Sequence, residues 1–225
     1  MLMHALATIV AVILIALLVR DYYRRSAAIR EEPKRLFANI IPILKNTNVH
    51  KSDTAGVHCI EGSYRDHFFL IRTVADTLAL RKLPSLWLMV TLPRLQPFTA
   101  TFDLMMRPAT ASTFSNFDFL NHTVNCPADY PEEAVLRSDD PTNMISVSLA
   151  APHVHRIFVD KRMKELLISP KGTRLVRQLA EGDRARYGVF RQADFDNHII
   201  DPVILQSLMD SLITLQRDID TAGYK

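Results

Sequence analysis

Residues 2–19 form an apolar run broken only by His4 and Thr8, and Arg20, Arg24 and Arg25 follow closely. At about 1.5 Å per residue, its roughly eighteen positions reach about 27 Å as a helix, enough to cross the hydrocarbon core of a bilayer. The sequence therefore predicts an N-terminal transmembrane helix. A cleaved signal peptide carries positive charge before its apolar run and small residues after it; here the order is reversed, so the segment is expected to stay. No later stretch matches it. Residues 83–92 are shorter, carry Pro84, and read as a buried strand.

No Lys or Arg precedes the run, whereas Arg20, Arg24, Arg25, Arg30, Lys34 and Arg35 follow it. The positive-inside rule puts such a flank in the cytoplasm and the N-terminus outside. Tyr22 and Tyr23 read as an interfacial aromatic pair, so Arg20, Tyr22, Tyr23, Arg24 and Arg25 form the expected membrane interface. Ala7 and Ala11 lie one turn apart and offer a helix-packing face. The lipid bilayer and an integral-membrane protein complex are thus the expected partners. Anionic lipid joins them, because each basic residue near an anionic leaflet contributes about 1 kcal/mol.

The chain divides into residues 1–25, the transmembrane helix and its basic flank; 26–55, a juxtamembrane helix and linker; and 56–225, a soluble domain. Leu36, Phe37, Ile40, Ile41 and Leu44 give the juxtamembrane helix an apolar face. Residues 57–61 and 65–74 flank Gly62-Ser63 as a hairpin. Residues 85–92 read as a central strand, with Leu86, Leu88, Val90 and Leu92 on one face and Trp87 and Met89 on the other. In residues 99–107, Ala100, Phe102, Leu104 and Met106 point inward, and Thr99, Thr101, Asp103 and Arg107 outward.

The loop 108–131 carries Phe114, Phe117, Phe119 and Tyr130 and is expected to pack over the sheet. Short strands are expected at 134–137 and 144–149, a short helix beyond Pro152, a hairpin at 164–169 and 173–180, and a further strand at 187–191. The last element is the clearest: Asp201 as N-cap, Pro202 in first position, then Ile204, Leu205, Leu208, Met209, Leu212 and Leu215 on one face. Runs of strands separated by helices predict an α+β class: a mainly antiparallel sheet closed by a C-terminal amphipathic helix. Two meanders, each followed by a helix, raise an internal duplication that no residue-level repeat supports.

The sequence assigns no catalytic, cofactor-binding or metal-binding residue, and no cofactor. A net charge of +3 is low for a nucleic-acid surface, so nucleic acid is not an expected partner. Cys59 and Cys126 read as two separate thiols. His153 and His155 sit about 200° apart on a helix and cannot share an ion. Asp194, Asp196, Asn197, His198 and Asp201 offer oxygen ligands without the glycine and terminal Glu of a calcium loop. Ser63, Asp66 and His67 share one hairpin and cannot arrange themselves as a triad. Six glycines include no phosphate loop. Of the second basic concentration, Arg174, Arg184 and Arg186 would form a contact surface if they gathered on one edge.

The succession Glu61-Gly62-Ser63-Tyr64-Arg65, Leu83-Pro84-Ser85-Leu86-Trp87-Leu88, Arg137-Ser138-Asp139-Asp140-Pro141 and Ser169-Pro170-Lys171-Gly172, then a capped terminal helix, resembles uncharacterised single-pass bacterial membrane proteins with a soluble α+β domain. The resemblance implies a bacterial membrane-tethered α+β module and transfers no catalytic or binding residue; with the anchor and its basic flank, the expected location is the bacterial inner membrane. The expected function is that of a non-enzymatic accessory, stabilising or assembly subunit of a larger membrane complex, whether respiratory, photosynthetic or secretory. The alternatives are an anionic-lipid-binding module and a membrane-bound hydrolase or transferase with an unrecognised site.

Overall fold

The computed structural model describes residues 14–17, 19–20, 35–51, 57–76, 83–108, 114–182, 195 and 199–223. Among them no helix is long and apolar enough to cross a membrane. The expected N-terminal transmembrane helix, and the single-pass inner-membrane location drawn from it, are corrected accordingly. Of the apolar run, residues 14–17 and 19 are described, and all are helical. A span needs about twenty helical residues. Ala7, Ala11, Tyr22, Tyr23, Arg24 and Arg25 lie outside the described residues; Arg20 is described, helical and exposed.

The α+β expectation is corrected as well, because one large antiparallel sheet dominates and the helices are few. Its nine strands are β1 (Lys45–Lys51), β2 (Val57–Tyr64), β3 (His67–Asp76), β4 (Ser85–Pro93), β5 (Phe102–Met106), β6 (His122–Val124), β7 (Ala134–Ser138), β8 (Met163–Ser169) and β9 (Gly172–Glu181). They lie in the order β1-β2-β3-β4-β9-β8-β5-β7-β6, every neighbouring pair antiparallel. Residues 45–51, which composition reads as linker, are an edge strand. β4 is interior, as its two apolar faces demand.

The first hairpin turns three residues later than its glycine suggests. Tyr64 pairs with His67, and Arg65 and Asp66 between them take φ of 47° and 64°. That two-residue left-handed turn matches the twist of the strands it joins. Gly62 instead sits within β2, where a Cβ would come 3.1 Å from Leu44 Cβ and 3.2 Å from the Lys45 carbonyl oxygen. Its role is to admit the neighbouring chain.

One face of the sheet is covered by residues 36–44 and by two helices, α1 (Val147–Ile157) and α2 (Pro202–Thr221). Phe37, Ile40, Phe69, Ile71, Leu88, Phe102 and Leu104 are wholly buried there. Asp201 caps α2, its carboxylate accepting from Val203 N at 2.8 Å, with Pro202 next. α1 begins where residues 144–149 were expected as a strand and runs through Pro152. The two helices are pinned by His153. Arg156 donates to its Nδ1 at 3.1 Å, which leaves Nε2–H to donate to Asp218 at 2.9 Å. The expected strand at 187–191 lies outside the described residues.

The other face carries a second apolar cluster, Val74, Met89, Met105, Phe114, Phe117 and Val176, with Trp87 against it. Asp103, expected to point outward to solvent, is on this face and only 2% exposed. Its side chain obeys the alternation of the strand; what differs is that this face is covered.

Candidate functional site: a buried carboxyl pair beneath residues 114–120

Strand register builds the site. Asp103 on β5 faces Arg137 on β7 and Leu167 on β8, and Leu167 in turn faces Arg174 on β9. Two residues along, Met105 faces Glu165, and Glu165 faces Val176. Because residues opposite one another share a face, these pairings bring two carboxyls and two guanidiniums from four strands to the side away from the helices. Glu165 is wholly buried.

Each carboxylate oxygen of Glu165 has a partner. Ser115 donates its hydroxyl to Oε1, and Arg174 Nη2 donates to Oε2 at 3.0 Å. Burial pushes Glu165 up, against the pull of Arg174 and Ser115. Burial pushes Asp103 well above the usual carboxylate range, the charge of Glu165 adding to it and Arg174 opposing, and a hydrogen bond to Glu165 favours the protonated form further. Both carboxyls are thus pushed toward their protonated forms, Asp103 the further of the two. Asp103 Oδ1, Arg137 Nε, Arg174 Nε and Trp87 Nε1, all on this face, are buried and make no hydrogen bond.

Residues 114–120 cross above the pair. Phe114 packs on Trp87, with ring centroids 5.0 Å apart and planes tilted by 48°. Ser115 Oγ accepts from Phe117 N at 3.1 Å while it donates to Glu165, so the segment is tied to the sheet through one hydroxyl. Arg137 supplies a second hold. Its guanidinium lies 4.9 Å from the Phe117 ring centroid, donates to Phe117 O at 3.4 Å, and approaches Asp118 to 3.8 Å.

A single turn of 3-10 helix, Phe117–Phe119, buries Phe117 and throws Phe119 outward, 81% exposed. β6 follows at once as an outer strand of the sheet, with β7 as its neighbour among the described residues. Residues 119–125 include no Asp, Glu, Lys or Arg. The opposite edge differs: β1 begins and ends on lysine, and its register breaks between Lys45 and Asn48, with Asn46 at φ 53°. Charges and irregularities of that kind discourage strand addition; the β6 edge lacks the charges.

A recess of about 380 Å³ lies beyond the end of β5 and includes Met106, Arg107, Glu133, Phe158 and Met163 in its lining. Arg107, at φ 44°, is held by its N–H on Glu133 O at 2.9 Å and by Lys164 Nζ, which donates to Met106 O at 2.5 Å and Arg107 O at 2.6 Å. The Arg107 guanidinium meets the Glu133 carboxylate at 3.3 Å.

Of the residues singled out from sequence, His153 and His155 do diverge, to Asp218 and Asp129 respectively. Ser63 lies in β2 opposite Phe68, Asp66 in the turn, and His67 at the start of β3, so the fold brings no triad together. Asp201 is a helix cap. Arg174 turns to Glu165 rather than to a basic edge, while Arg184, Arg186, Asp194, Asp196, Asn197 and His198 lie outside the described residues. No group of three His, Cys, Asp or Glu able to hold a metal occurs among the described residues. Sequence reasoning missed Asp103, Ser115, Arg137 and Glu165 as a set. The available signal was a lone acid in each of two largely apolar strands, β5 and β8.

No family model matches the sequence, and the search of curated proteins returns no match. Among solved structures, the mycobacterial trehalose monomycolate transport factor A, TtfA, is similar with a TM-score of 0.44 and 11% identity, over 84% of this chain and 96% of that one. A likeness of that degree transfers neither fold nor function.

Proposed function

We propose that this chain is a non-enzymatic accessory subunit of a larger protein complex, which receives an extended segment of its partner along the β6 edge with Phe119 as the anchor. The observation that carries the reading is Phe119, 81% exposed beside an outer strand without charged residues. Aromatic side chains that bury a large area at little entropic cost are the usual anchors of protein interfaces. Strand addition supplies main-chain hydrogen bonds to such an edge, and neighbouring side chains supply selectivity. The acid pair supports the same reading. Its carboxyls are closed to solvent, and Glu165 Oε1 accepts from Ser115, which holds residues 114–120 to the sheet and so fixes where Phe119 points.

The test is recovery of the tagged chain from its native host, with associated proteins quantified by mass spectrometry for wild type, Phe119→Asp and Thr123→Pro. Both variants are expected to lose a partner that wild type retains in stoichiometric amount. Retention of the same partner by both variants, or absence of any stoichiometric partner from wild type, would overturn the reading.

A further inference from the structure

We propose that Asp103 and Glu165 form a proton-operated latch for residues 114–120: with one proton between them the segment lies on the outer face, and loss of that proton releases it. As a control on partner binding the latch rests on the function proposed above; as a property of the fold it stands without it.

Four strands and the covering segment bring charged or titratable groups to face the pair. β5 brings Asp103 itself, β7 brings Arg137, β8 brings Glu165 and Lys164, β9 brings Arg174, and the covering segment brings Ser115 and Asp118. Arg174 is committed to Glu165, and the Lys164 ammonium donates to two main-chain carbonyls at the end of β5. When Asp103 gives its proton to solvent, the hydrogen bond between the carboxyls is lost and a second negative charge is left in a buried place. Such a charge requires a cation within a few ångströms.

Arg137 is the cation placed to answer it. It stands opposite Asp103 in the sheet, and its Nε, like Asp103 Oδ1, makes no hydrogen bond. The same guanidinium holds the covering segment through Phe117 O, the Phe117 ring and Asp118. Turning to Asp103 draws it away from those contacts. Repulsion between the two carboxylates meanwhile displaces Glu165 from Ser115, the other hold. One deprotonation therefore loosens both polar holds on residues 114–120. The strong upward displacement of Asp103 places this event above the ordinary carboxylate range.

The chain carries its own reporter. Trp87 is its one tryptophan, and Phe114 of the covering segment packs on it. Emission of the full chain is followed while pH is raised from about 5 to about 9, where unperturbed aspartate does not titrate. Wild type is expected to show a red shift with one-proton steepness as Phe114 leaves the indole. Asp103→Asn, which keeps a neutral side chain of the same shape, is expected to hold the low-pH spectrum throughout. Amide exchange of residues 114–120 in wild type, corrected for intrinsic pH dependence, is expected to lose protection over the same interval, and needs no variant to fold.

A flat wild-type emission profile, a transition undiminished in Asp103→Asn, or unchanged protection of residues 114–120 would overturn the latch. Phe119→Asp separates the two readings: it should keep the fluorescence transition while losing the partner. A transition with no partner at any pH sinks the function and leaves the latch standing.

Discussion

Ser115, on the segment that crosses the outer face of the sheet, donates its hydroxyl to Glu165, a side chain wholly closed to solvent. One small residue thus joins a surface segment to a buried charge that sits fifty positions away in the chain. Ser115→Ala removes that bond and leaves Glu165 Oε1 without a donor. A loss of about 1–3 kcal/mol is expected, read as a lower urea midpoint with unchanged m-value. Amide exchange should quicken in residues 114–120 before it quickens elsewhere. An unchanged midpoint would mean that the segment is held by its aromatic contacts alone.

Arg174 is the counter-charge of Glu165, and its removal should be more costly than that of Ser115. Arg174→Met keeps the bulk of the side chain but leaves a buried carboxyl without its cation, for an expected loss of about 3–5 kcal/mol. The double variant Arg174→Met with Glu165→Gln should recover part of that loss, because the uncompensated charge is gone. Thermal melts of the two proteins decide the matter; equal melting temperatures would show that the pair carries no mutual energy.

The two helices offer a separate prediction about pH. Burial pushes His153 down, against the attraction of Asp218 and with the repulsion of Arg156. A histidine held neutral in the fold binds its proton more readily when unfolded. The stability it brings is therefore complete above the unfolded value near pH 6.5 and is lost as pH falls through the lower folded value. The urea midpoint should drop in mildly acidic buffer. His153→Gln should flatten that dependence while starting from a lower midpoint at neutral pH.

Gly172 opens β9 at φ 147°, and a Cβ there would come 2.4 Å from Leu92 O and 2.9 Å from Pro93 Cα. Gly172→Ala must push β9 away from β4 at the centre of the sheet. An expected loss of about 1–3 kcal/mol, seen in the thermal midpoint, follows from the backbone strain alone. A melting temperature equal to wild type would show that the turn relaxes at no cost.

What was legible in the sequence was local. The period-two pattern of residues 85–92 marked β4, the Asp201-Pro202 pair marked the start of α2, and the divergence of His153 and His155 followed from helical geometry. Pairings between distant strands were not legible, and the candidate site consists of such pairings. Asp103 looked like a solvent-facing residue because the aromatic residues of the loop 108–131 predict that it packs over the sheet but not which face it covers. The turn at Arg65-Asp66 was hidden by Gly62, whose reason for being glycine is the approach of Leu44 and Lys45 where the chain enters β1. The apolar run 2–19 met the length criterion for a membrane span on hydrophobicity, but among the described residues no helix meets it in structure.

The central claim is that Phe119 and the β6 edge meet a partner, and photo-crosslinking in the native host addresses it most directly. A benzophenone amino acid placed at position 119 should yield one discrete adduct to a single protein. The same probe at Leu95, which is 84% exposed but lies away from β6 in the loop after β4, should not yield that adduct. No adduct at 119, or the same adduct from both positions, would contradict the account.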